Sequence, residues 1–223
     1  MAIAGSCTAS PWPATSRAKR AVVSVEFYLG IGSRYSYLAA TQVERLEREC
    51  GCRFVWKPIA SGTLMDRRGG NPFKAASPGQ YDWRYREYDA KCWAAFYGVP
   101  FCEPLPFKTD AERPALACLA AEAQGALVAC CRLLQQMIFV EGIALDDQAI
   151  DDLPARLGID RKSFAETLAG PRVRARHEAL LGEAQARGVF GVPTVVADGH
   201  SFWGNDRLVL LEAVLKGAAM PRR

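Results

Sequence analysis

Two serines near the front of this 223-residue chain and a prolyl loop near its end carry residue types that can do chemistry. Ser33 and Ser36 follow an apolar run and the break Gly30-Ile31-Gly32, at the start of a helical pattern. A hydroxyl there can donate to an anion that also feels the positive end of the helix dipole. Far along the chain, Val192-Pro193 opens a short β-branched run, and Asn205-Asp206 stands at another helix start. A proline at the first residue of a strand has no N–H, so the peptide before it can face a ligand instead of a neighbouring strand. Val192-Pro193 is therefore a candidate cis bond. The local pattern leaves the isomer open, since only about one X–Pro bond in twenty is cis in folded proteins.

A thiolate brought by a bound cofactor is one anion such a hydroxyl could serve. Lowering a free thiol's pKa of about 8.5 by two units needs about 2.7 kcal/mol. A hydrogen bond to a charged group contributes about 1.5–3 kcal/mol and a helix terminus about 0.3–1 kcal/mol. Together they suffice without a separate base. The alternative for Ser33 is a plain helix N-cap.

The elements that must position these residues are legible. Residues 21–29 read as a buried strand, residues 33–50 as a helix with Leu38, Ala39, Val43, Leu46 and Cys50 at helical spacing, and residues 52–59 as a second strand. At the back, residues 194–197 and 200–203 form a hairpin around Asp198-Gly199, a pair suited to a turn with two positive φ angles. Asn205 or Asp206 then caps a closing helix carrying Leu208, Leu211, Val214 and Leu215. Between lie a short turn of helix at 61–65, a polar Gly/Pro-rich loop at 67–80, and helices at 81–97, 111–125, 126–141, 147–157, 161–168 and 171–188. Front and back can share one sheet if everything between is an insertion.

Half the residues are apolar and 23% are charged, which supports a substantial core. The net charge is +4, and Arg17, Lys19 and Arg20 sit in a front segment without acids, so the body is near neutral. That argues against a nucleic-acid surface. Eight cysteines have neither C-x-x-C nor zinc spacing and accompany only two histidines, so no metal site is expected and the thiols read as reduced, in a cytoplasmic protein. No run has the length of a membrane-spanning helix. Residues 1–21, rich in Ser, Ala and Pro, read as a disordered or non-native extension without a secretory h-region.

Several blocks resemble the 2-hydroxychromene-2-carboxylate isomerase family and its relatives, the kappa-class glutathione transferases, in the DsbA-like branch of the thioredoxin fold. They are Val25-Glu26-Phe27-Tyr28; Ser33-x-Tyr35-Ser36-Tyr37-Leu38-Ala39; Gly70-Asn71; Trp93-Ala94 with Tyr97-Gly98-Val99-Pro100; Gly188 to Thr194; and Phe202 to Leu208. The last two are the most specific. The resemblance implies an α/β fold: a thioredoxin-like domain from residues 22–60 and 189–217, its sheet interrupted by a large all-helical insertion at 61–188. It implies glutathione as cofactor and a homodimer. Residue by residue, Ser33 matches the catalytic serine that hydrogen-bonds the glutathione sulfur. Val192, before Pro193, matches the residue whose backbone pairs with the cysteinyl moiety. Asn205 and Asp206 match the pair at the γ-glutamyl end, and Asn71 an asparagine at the glycyl end. Arg34, Tyr35, Tyr85 and Trp93 are candidates for the side facing a small aromatic or electrophilic substrate. The implied reaction is thiolate addition to a ring-opened 2-oxo acid, bond rotation, and release.

The chain departs from the family at four places. Gly30 stands where Asp is usual, Arg34 where Pro is usual, Cys92 where the isomerases often carry Arg, and Ser77-Pro78-Gly79-Gln80 where kappa-class members carry a basic residue. Arg34 would add positive charge beside a thiolate or an acidic substrate. A kappa-like transferase and a non-catalytic thioredoxin-fold module for extended peptides are the alternatives; a dithiol oxidoreductase is disfavoured because C-x-x-C is missing. Among other residues, the aromatics of 81–97 read as core packing, His177 and Arg67-Arg68 as solvated, and His200 as structural.

Overall fold

The computed structural model describes residues 23–70, 82–104 and 112–221; Asn71, residues 77–80 and the front extension lie outside them. Strand β1 (Val23–Leu29) and strand β2 (Cys52–Pro58) run parallel, with Val23 opposite Cys52 and Leu29 opposite Pro58. Helix α1 (Arg34–Cys50) crosses between them, and Gly51 ends it at φ 64°, its N–H donating to Glu47 O at 3.0 Å. Such an end favours glycine, which meets no Cβ penalty there.

Strand β3 (Thr194–Ala197) returns antiparallel to β1, with Tyr28 opposite Thr194, and pairs with β4 (His200–Trp203). The turn between them places Asp198 at φ 49° and Gly199 at φ 77°, as the Asp-Gly pair demands. The four strands make one sheet in the order β2-β1-β3-β4. Segments from the front and back of the chain thus become spatial neighbours in the sheet. This is a mixed α/β thioredoxin-like arrangement.

Between β2 and β3, the described residues hold helices and no strand: α2 (Ser61–Arg67), α3 (Trp83–Tyr97), α4 (Glu112–Glu122), α5 (Leu127–Phe139), α6 (Asp147–Asp151), α7 (Leu153–Leu157), α8 (Arg161–Ala169) and α9 (Pro171–Ala186). Helix α10 (Leu208–Leu215) closes the chain. The sheet core centres on Phe27, which meets Phe54 and Trp56 edge-on. Tyr37 of α1 stacks on Phe139 at 5.3 Å between ring centroids and so joins the sheet layer to α5. Cys118, Cys130 and Cys131 are buried and free, and burial pushes the Cys118 thiol well up, as expected of small apolar side chains.

Three expectations need correction. His177 is not solvated: it is 1% exposed, and its Nε2 accepts the Ala60 N–H at 3.0 Å. The aromatics of α3 do not all pack inward, since Tyr85, Tyr88 and Phe96 are 63%, 66% and 78% exposed. They recur at helical spacing on the face opposite buried Ala90 and Ala94, and a helix with one buried stripe must turn the other outward. Finally, no side chain caps α10. A 3-10 turn, Asn205–Arg207, leads into it instead.

Candidate functional site

Ser33 is the N-cap of α1, in extended backbone at φ −96°, and its Oγ accepts the Ser36 N–H at 3.2 Å. Its own N–H donates to Gly30 O at 3.1 Å. The hydroxyl proton is left for a ligand, since the cap bond uses Ser33 only as acceptor. Ser36 is spent differently. It is fully buried, and its Oγ accepts the Gly30 N–H at 3.2 Å. Of the two serines, Ser36 is fully buried and Ser33 is half-buried.

Val192-Pro193 is cis. Pro193 O accepts the Gly204 N–H at 2.9 Å, and Thr194 Oγ1 donates to Gly191 O at 2.7 Å. Gly191 must lack a side chain, because a Cβ there would come within 2.7 Å of Trp203 Nε1. Trp203 also packs on Phe190 at 4.7 Å between centroids, so the aromatic pair braces the loop. Within the described residues, no hydrogen bond occupies the Val192 backbone.

Gly30 brings these two parts together. A methyl group on it would lie 3.0 Å from Val192 Cγ2, 3.5 Å from Ser61 Oγ and 3.6 Å from Ser33 Cβ. Ser33 and Val192, remote in sequence, therefore flank one small gap at the end of β1. The turn carrying Asn205 and Asp206 packs against α1 and is tied to the loop by the Gly204–Pro193 bond. Asn205 is 2% exposed, its carbonyl accepts the Tyr97 hydroxyl at 3.1 Å, and its Nδ2 is buried without a partner among the described residues. The Asp206 carboxylate is folded over Gly204, where any Cβ would overlap it, and reaches Arg207 at 3.4 Å.

The four substrate-side candidates are dispersed. Arg34 is buried, with Nε 2.9 Å from Glu103 Oε1 and both side chains 8% exposed. Burial pulls the Arg34 pKa down and pushes Glu103 up. The expected extra positive charge is thus matched by a carboxylate that the sequence did not single out. Tyr35 donates its hydroxyl to Asp89 at 2.7 Å under the Arg86 guanidinium, and burial with that bond raises its pKa. Tyr85 points to solvent. Trp93 is half-buried against Tyr97, whose hydroxyl reaches Asn205.

Sequence reasoning missed Tyr97 and Ser61. Tyr97 stands in one of the blocks that carry the resemblance, but its contact spans 108 positions and no local pattern points to it. Ser61 did: it lies just beyond the end of β2, and ligands of parallel sheets gather at strand C-termini.

The DSBA-like thioredoxin domain matches residues 24–216, nearly the whole described chain. The chain belongs to this family. It is 30% identical over 199 residues to a 2-hydroxychromene-2-carboxylate isomerase of Pseudomonas putida, covering 86% of this chain and 93% of the relative. It is 29% identical over 206 residues to the enzyme of that name from Pseudomonas sp. strain C18, covering 88% and 92%. A solved structure of a 2-hydroxychromene-2-carboxylate isomerase superposes with a TM-score of 0.76 at 27% identity, covering 86% of this chain and 94% of that one. Within the DSBA-like family the chain therefore groups with these isomerases. Among the described residues no helix is long and apolar enough to cross a membrane, and no group of side chains could hold a metal ion.

Proposed function

We propose that the chain is a glutathione-dependent isomerase acting on a small aromatic substrate of the 2-hydroxychromene-2-carboxylate kind. The isomerase reading comes from the curated relatives of that name. The glutathione reading is carried by one observation: Ser33 Cβ and the Val192 side chain both adjoin Gly30, and the Val192 backbone has no hydrogen bond among the described residues. Bound glutathione would supply a thiol that is both nucleophile and leaving group, as reversible covalent catalysis requires.

The residues present fit that group. Val192 offers a peptide edge to the cysteinyl unit, in the manner of strand addition. Ser33 donates to the sulfur at the start of α1, where the helix dipole favours the anion. Asn205, with its orphaned buried Nδ2, and Asp206, half-exposed, are disposed for the γ-glutamyl carboxylate and amine. Asn71, outside the described residues, is assigned the glycyl end. Arg34 is given no direct role, because Glu103 holds it.

The same free Val192 edge also favours a second reading, a module that binds extended peptides without thiol chemistry. One assay separates them. Interconversion of 2-hydroxychromene-2-carboxylate and its ring-opened isomer is followed by absorbance, with and without glutathione. Catalysis requiring both protein and glutathione supports the proposal. Catalysis that ignores glutathione removes the cofactor, and none at all removes the enzyme.

A further inference from the structure

The end of β2 is held under tight control. Ile59 N–H donates to Leu29 O at 2.9 Å, and Ala60 N–H to His177 Nε2 at 3.0 Å. These bonds tie residue 59 to the end of β1 and residue 60 to α9, and the next side chain is Ser61. Its Oγ lies 3.5 Å from where a Gly30 side chain would begin, and Ser33 Cβ lies 3.6 Å from the same point. Ser61 is half-buried, and its hydroxyl enters no hydrogen bond among the described residues. Helix α2 starts without a side-chain cap, so the hydroxyl is not consumed there either. A hydroxyl positioned by two backbone bonds and left unpaired is a preorganised donor.

We infer that Ser61 is a second hydroxyl donor to the ligand sulfur, acting with Ser33 beside Gly30. The inference rests on the glutathione reading above. On ionisation the thiol proton passes to water, the sulfur keeps the electron pair, and each serine donates one hydrogen bond to it. A side chain at position 30 would begin 3.5 Å from Ser61 Oγ and 3.6 Å from Ser33 Cβ, so glycine there leaves this space to the ligand. Because Arg34 is committed to Glu103, polarisation of the sulfur falls to the hydroxyls and the start of α1.

The test is a pH titration of the ultraviolet thiolate absorbance of glutathione bound to the full chain, comparing wild type, Ser61→Ala and Ser61→Thr. Ser61→Ala raises the apparent thiol pKa by about one unit, about a threefold loss of thiolate at neutral pH for a thiol titrating about two units below its free value, and Ser61→Thr restores it. S-methylglutathione, which has no thiol to ionise, binds wild type and Ser61→Ala equally. Coincident titration curves for wild type and Ser61→Ala overturn the inference. So does an equal loss of affinity for both ligands, which marks a packing role. If wild type binds neither ligand, the glutathione reading itself fails and this inference falls with it.

Discussion

Buried His177 accepts a backbone hydrogen bond from Ala60, through Nε2 at 3.0 Å, and can do so only while that nitrogen is unprotonated. Helix α9 is thereby fastened to the segment that presents Ser61. Burial lowers the His177 pKa and the Arg67 charge lowers it further, while Glu112 and Glu178 oppose them. The folded pKa therefore lies below the unfolded value of about 6.5. Stability from this group is complete above the unfolded pKa and is lost as the pH falls from there towards the folded one. Urea denaturation should show stability falling with pH in that window. His177→Phe should remove this pH dependence while lowering stability by about 1–3 kcal/mol, the cost of an unsatisfied buried N–H.

Ser33→Ala should separate capping from chemistry. Loss of the N-cap costs about 1 kcal/mol, which in a chain of this size lowers the melting temperature by about 2–4 °C. Loss of a hydrogen bond to a charged sulfur costs about 1.5–3 kcal/mol, or about 10- to 100-fold in glutathione-dependent rate. A rate that falls no further than the folded fraction does would leave Ser33 a cap alone.

Glu103→Gln should be among the more destabilising single changes near the site. It removes the carboxylate facing Arg34 where both side chains are 8% exposed. Breaking a buried ion pair from one side costs about 3–5 kcal/mol, whereas replacing both partners with apolar groups is often neutral. Chemical denaturation of Glu103→Gln and of Arg34→Met with Glu103→Leu should therefore rank the double change as the more stable protein.

Gly204→Ala combines two faults. Its φ of 110° is strained for any side chain, and the new Cβ would overlap the Asp206 carboxylate. The backbone strain alone is worth about 1–3 kcal/mol. Adding Asp206→Ala relieves the overlap and leaves the strain, so the double variant should melt between wild type and Gly204→Ala. Equal melting of both variants would mean that Asp206 does not lie over Gly204.

Much of the fold was legible because its signals are local. The Asp198-Gly199 turn follows from two adjacent residues that tolerate positive φ. The span of α1 follows from apolar periodicity, with a serine at one end and Gly51 at the other. The errors fell where locality fails. His177 lies among arginines on α9 and reads as solvated until Ala60, 117 positions away, is seen to donate to it. The α3 aromatics resemble a core because composition does not reveal which stripe of a helix turns inward.

For the site, residue types and short spacings were enough to nominate Ser33, Val192-Pro193 and Asn205-Asp206, because a helix start and a prolyl strand entry act on the few residues beside them. They could not say that Glu103 would neutralise Arg34, that Tyr97 would meet Asn205, or that Ser61 would share the gap at Gly30 with Ser33. Those relationships arise only when the chain folds: β1 pairs with β2 on one side and with β3 on the other, and Tyr97 meets Asn205 across 108 positions. Hydrogen bonding and charge pairing act over a few ångströms, so it is the closing of the sheet that decides which side chains meet.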